Sequence, residues 1–155
     1  MKTIVREAGQ GEKLWFYGGG LHTWKVTTQD SQGALSVFED AMERGKMTPL
    51  HTHPESDETV YVVEGEILIH GNGTPRTVGK GGVVFTPRGV PHAFVVTSET
   101  ARILSIITPG ERTEGFYRKA SVAGESGQVD FSRVGQAAQE TGATLILGPP
   151  PFSRR

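Results

Sequence analysis

The chain of 155 residues contains no cysteine. That absence excludes disulfides, thiolate zinc sites, iron–sulfur clusters and a cysteine nucleophile. Any bound metal must therefore be held by histidine nitrogen and carboxylate oxygen. A positive excess is missing too, since 16 lysines and arginines face 17 aspartates and glutamates, for a formal net charge of -1. No nucleic-acid partner is expected, because such proteins present a basic surface. Long apolar runs are also absent. No stretch approaches the ~20 apolar residues of a membrane-spanning helix, so no membrane partner is expected. Met1–Glu12 holds no apolar core of a secretion signal, which makes the cytoplasm the expected address.

Glycine is plentiful, with 21 residues beside 9 prolines, while hydrophobic residues make up only 35%. This balance favours many short strands joined by tight turns over a helical bundle. A single domain is expected from the length. Apolar runs of strand length recur at Leu14–Tyr17, Leu21–Thr28, Ala34–Ala41, Thr59–Val63, Glu66–His70, Val83–Thr86, His92–Thr97 and Arg102–Thr108. Glycine, proline and asparagine separate them, and this spacing predicts an antiparallel sandwich or barrel. The pattern changes after Pro109. Glu111–Ala120 is compatible with a short helix, Gly124–Gln128 reads as a flexible link, and Asp130 can cap a helix running to Thr141. Phe131, Val134 and Ala138 would share one face of it, and Gly142 occupies the position of a left-handed C-cap. We therefore expect a β-barrel over residues 1–110 and a helical extension over 111–155 packed on it, as one domain.

Two segments carry chemistry. The first runs Gly45-x5-His51-x-His53-x4-Glu58-x6-Gly65. His51 and His53 are two residues apart, so on extended backbone both point to one face and can share a cation. Glu58 begins the next strand and can add an oxygen ligand. The second segment, Gly81-x5-Pro87-Arg88-Gly89-x2-His92, presents another histidine at the head of a strand. Three imidazoles and one carboxylate suit divalent iron, manganese, nickel or cobalt, with zinc and copper also compatible.

These two segments match, in order and spacing, the paired motifs of the cupin superfamily, which the chain resembles. The resemblance implies an all-β fold, an antiparallel β-barrel of the double-stranded β-helix or jelly-roll kind, with short C-terminal helices. It implies one divalent transition metal bound by His51, His53, Glu58 and His92, and assembly as a homodimer. The second motif usually ends in asparagine four residues past its histidine. Here that position is Val96, which points to a less polar cavity wall.

Leu14–Thr23, Pro109–Arg118 and Gly142–Pro151 are further similar to small bacterial cupins related to quercetinase. That narrower resemblance implies a dioxygenase taking dioxygen and a small apolar or aromatic substrate. It also gives Glu58 a second role as the base that deprotonates the substrate hydroxyl. Expected pocket residues are Leu50, Phe85, Phe94, Val96, Trp24 and Phe116, with Trp15, Phe16 and Tyr117 as further wall candidates. His22 and His70 have no motif partner and read as core or surface histidines. Arg76, Lys80 and Arg88 read as solvated charges, Arg88 nearest the barrel mouth. Two other readings fit the same residues: a metal-dependent lyase or isomerase, and a non-catalytic small-molecule binder.

Overall fold

A computed structural model describes residues 1–124 and 129–152. Its strands are β1 (Lys13–Phe16), β2 (Gly20–Val26), β3 (Ser36–Glu43), β4 (Leu50–Thr52), β5 (Asp57–Glu64), β6 (Glu66–His70), β7 (Arg76–Gly79), β8 (Val83–Thr86), β9 (Ala93–Val96), β10 (Thr100–Thr108) and β11 (Leu145–Gly148). Its helices are α1 (Thr28–Ser31), α2 (Glu111–Ala120) and α3 (Phe131–Thr141). Six strands form one sheet in the order β1-β2-β3-β10-β5-β8, three form β7-β6-β9, and β11 pairs with β4. Every pairing is antiparallel. The sheets do not close into one hydrogen-bonded barrel among the described residues. They form a jelly roll whose two larger sheets share an apolar interior.

Strict alternation produces that interior. On β5 the side chains of Glu58, Val60 and Val62 are buried while Tyr61 faces out. On β10, Ala101, Ile103, Ser105 and Ile107 alternate inward in the same way. A side-chain period of two lets such strands bury one face and wet the other. One apolar cluster joins Met42, Val60, Val62, Ile67, Phe94, Val96, Ala101 and Ile103, binding the two larger sheets together. A second packs Phe16, Trp24, Phe38 and Ile107 against Phe116, Tyr117, Val134 and Ala137 of α2 and α3. The functional cavity lies between these two clusters.

Local features bear out the sequence expectation at the ends of α3 and depart from it elsewhere. The break after β2 holds the short helix α1, with Thr27 and Asp30 in a reciprocal capping box. Asp130 accepts from Ser132 N at the start of α3, and Gly142 ends that helix at φ 63°. The buried face of α3 is Val134, Ala137 and Ala138, whereas Phe131 is 39% exposed and packs edge-to-face with Tyr17. Leu50–Thr52, outside the apolar runs of strand length, is a strand, because the C-terminal run Leu145–Gly148 pairs with it. Residues 125–128 of the expected link lie outside the described residues. No helix among the described residues is long and apolar enough to cross a membrane.

Candidate metal centre

The backbone brings the two motifs together directly. His51 N donates to His92 O at 3.1 Å and His92 N donates to His51 O at 2.9 Å, so the two histidines face each other across one antiparallel bridge. Their ring centroids lie 4.3 Å apart, and His53 is 5.0 Å from His51 and 5.4 Å from His92. One nitrogen from each ring falls within 4.8 Å of the others, and all three residues are buried. Glu58 enters from the start of β5. Its Oε2 lies 3.0 Å from His53 Nε2 and 3.8 Å from His92 Nε2.

The outward nitrogen of each ring is already held. His51 Nδ1 donates to Pro49 O at 2.8 Å and His92 Nδ1 donates to Val90 O at 3.0 Å. His53 Nδ1 hydrogen-bonds Thr144 Oγ1 at 3.0 Å. Carbonyl acceptors fix the protons of His51 and His92 on Nδ1, leaving the Nε2 lone pairs directed elsewhere. His53 Nε2, His92 Nε2 and Glu58 Oε2 are buried without a hydrogen-bond partner, the 3.0 Å contact being misaligned for one. Convergent buried polar atoms left without hydrogen-bond partners fit a divalent cation, and outer hydrogen bonds of this kind orient metal-binding histidines.

The electrostatics of His51 and Glu58 agree with this donor set, whereas the carboxylate beside His92 favours its protonated form until a cation takes the place of the proton. Burial, reinforced by the neighbouring His92 and His53, pushes His51 well below its usual pKa, so it stays neutral as a ligand must. Burial alone would raise the Glu58 carboxyl. The His53 and His92 contacts and charges outweigh that, holding Glu58 well below the usual carboxylate range and ionised. For His92, burial is likewise outweighed, here by Glu58 and the Val90 carbonyl, and its pKa rises.

Phe16, Phe38, Phe94, Ile103, Phe116 and Tyr117 supply an apolar wall beside this cluster. About 40 Å³ of the cavity is open to the centre of a water molecule. Phe94 and Phe116 line it; four other expected pocket residues do not. Phe85 points outward and is 60% exposed, because the pairing of Glu58 with Thr86 puts Thr86 on the inner face and its neighbour on the outer one. Leu50 alternates away from His51 and is half-buried beside Gly148. Trp24 is buried in the helix-facing cluster, with the Arg118 guanidinium 4.9 Å from its ring. Val96 sits in the inter-sheet cluster beyond Phe94.

His22 is fully buried at the cavity wall, its Nε2 3.4 Å from Asp40 Oδ2. His70 is half-buried against the edge of Phe152. Arg88 forms a two-pronged pair with Asp57 at 3.0 and 3.2 Å on the surface, and Arg76 and Lys80 are exposed. Sequence reasoning missed five polar residues of the cavity: Asp40, Lys46, Thr48, Ser105 and Thr144. The triple glycine gave a signal for the first two. A Cβ on Gly18 would sit 2.8 Å from Lys46 Cδ, and one on Gly20 would sit 2.7 Å from Asp40 Oδ1.

Fold and site together define a double-stranded β-helix protein with a three-histidine cluster, flanked by the Glu58 carboxylate, of a kind that can hold a metal ion. A cupin-domain model matches residues 38–107. An uncharacterized protein of Streptomyces coelicolor is 34% identical over 77 residues, spanning 50% of this chain and 72% of that one. The chain belongs to the cupin superfamily. It is 25% identical over 114 residues to the quercetin 2,3-dioxygenase of Bacillus subtilis, covering 74% of this chain but only 33% of that enzyme's length. The solved structure of the polyketide cyclase RemF from Streptomyces resistomycificus superposes with a TM-score of 0.59 at 26% identity, covering 70% of this chain and 80% of that one.

Proposed function

We propose that this cupin is a metal-dependent dioxygenase of the quercetinase-like kind, working in the cytoplasm as a homodimer on a flavonol or a related enol or aromatic substrate. The observation that carries this reading is that His51 and His92 of the three-histidine cluster, with Glu58, open onto an apolar, aromatic-walled cavity. The small free volume favours the smaller members of that substrate class. A bound divalent cation would supply Lewis acidity and a common template for substrate oxygen and dioxygen. Glu58, ionised and lining the cavity, is the carboxylate that accepts the proton of the substrate hydroxyl. The phenyl rings of Phe94 and Phe116 hold the substrate ring in place and keep bulk water from it. Tyr117 stays protonated, since burial and then the charges of Glu58 and Asp40 push its hydroxyl well above the usual value. The outer face at the edge of the six-stranded sheet, where Tyr61, Val83 and Phe85 are exposed, is where the second copy packs.

The test is oxygen uptake by protein loaded in turn with iron, manganese, nickel and cobalt, screened with flavonols and one-ring enols. Uptake matched to substrate loss supports the proposal. Full metal occupancy without uptake for any of them sinks it. One observation favours a second reading. The His22–Asp40 pair on the same wall can move protons, which suits a lyase or isomerase. That reading requires turnover under anaerobic conditions.

A further inference from the structure

The cavity has a second polar pole that the mechanism above leaves unused. Lys46 is 5% exposed and lines the same cavity as His51, Glu58 and His92. Among the described residues no carboxylate comes within 4.0 Å of its Nζ, and no hydrogen bond reaches it. Its company is aromatic: Nζ lies 5.2 Å from the centre of the Phe16 ring and 5.8 Å from that of Tyr17. Such contacts soften the burial of an ammonium without replacing its lost water. Burial accordingly lowers the Lys46 pKa to about 8, against the pull of Asp40. On the same wall, Asp40 Oδ1 and His22 Nδ1 are buried and unpartnered. Gly18 and Gly20 leave the space that the Lys46 and Asp40 side chains occupy. An unpaired donor and an unpaired acceptor on two residues lining one cavity are complementary to a ligand hydroxyl, which accepts from the first and donates to the second.

We infer that Lys46, with Asp40, is a substrate-binding residue that recognises a hydroxyl group on the substrate end remote from the metal cluster. The substrate is then a flat molecule with oxygen at both ends, one for the histidine–carboxylate cluster and one for Lys46. This inference rests on the reading of the cavity as a substrate site, not on the reaction carried out there.

A matched pair of one-ring acids tests it. Benzoate offers oxygen at one end only, and 4-hydroxybenzoate adds the distal hydroxyl. Calorimetric titration of zinc-loaded wild-type protein should show 4-hydroxybenzoate binding about tenfold or more tighter, the worth of a hydrogen bond to a charged group. Lys46→Met should bring the ratio close to one while leaving benzoate affinity and zinc content unchanged. A wild-type ratio near one, a ratio retained in the variant, or failure of both acids to bind overturns the inference. In case the variant does not fold, the wild-type protein gives a second readout. The Lys46 Cε resonance should shift on adding 4-hydroxybenzoate but not benzoate, and no shift with either overturns the inference equally. Discrimination between the acids without oxygen uptake in the earlier screen would retire the dioxygenase and keep the Lys46 pole.

Discussion

Thr144 offers a sharp test of how the C-terminal segment serves the metal centre. It is 1% exposed, and its Oγ1 lies 3.0 Å from His53 Nδ1, the hydrogen bond that orients a ring contributed from 91 residues away. Thr144→Val keeps the branched shape and removes the hydroxyl. His53 Nδ1 is then left buried without a partner, a loss of about 1–3 kcal/mol. Losing an outer hydrogen bond on a ligating histidine costs about 10–100-fold in metal affinity, which falls in the same range. We expect zinc affinity, measured by competition with a chromogenic chelator, to fall by that factor. Thr144→Ser should retain most of it. His92→Ala, which removes a ligand outright, marks the floor with no stoichiometric metal by elemental analysis. Zinc affinity within twofold of wild type in Thr144→Val, with the fold intact by circular dichroism, would refute the idea that the tail tunes the metal site.

Three further outcomes follow from separate parts of the structure. Arg6 and the Thr27 cap hold the Asp30 carboxyl at about 2, below its ordinary 3.8. A carboxyl depressed on folding stabilises above its unfolded pKa and loses that contribution as pH falls through its folded one. Asp30→Asn should thus cost about 1 kcal/mol in urea unfolding at neutral pH, after allowance for solvent screening, and the gap from wild type should close between pH 4 and 2. An unchanged gap at pH 2 would contradict the assignment. Phe85→Asp, on the exposed face of β8, should leave metal content intact and shift the sedimentation profile from dimer to monomer; an unchanged profile rules that face out as the interface. Gly65→Ala forces a side chain into φ 79°, with its Cβ 2.2 Å from Thr100 O. It should cost about 3 kcal/mol and lower Tm by on the order of 10 °C, and a Tm within 2 °C of wild type would count against the clash.

The convergence of His51, His53, Glu58 and His92 was readable because ligand spacing is a local property. Two residues on one strand face, and a histidine just past a stiff turn, need little tertiary knowledge. The wall around them was not readable in that way. Phe85 looked inward by composition, yet the pairing of Glu58 with Thr86 turns it outward, and register between strands is invisible in either strand alone. Lys46 and Asp40 belong to residue types that are seldom buried, so nothing in their identity marked them as cavity residues. Thr144 reaches His53 through a strand pairing between distant parts of the chain, and no spacing rule anticipates such a contact. Strand and helix positions followed the glycine and proline breaks closely, whereas the pairing of β11 with β4 required the folded molecule.

That last pairing sets an order of events during synthesis. Chains emerge N-terminus first and long-range strand pairings form late. The strand that carries His51 gains its β11 partner only when residues 145–148 have left the ribosome. The jelly roll can condense earlier, with its metal ligands in place but one of their supports missing. The His53 ring acquires its Thr144 hydrogen bond at the same step, so the last strand to pair also completes the setting of the three-histidine cluster.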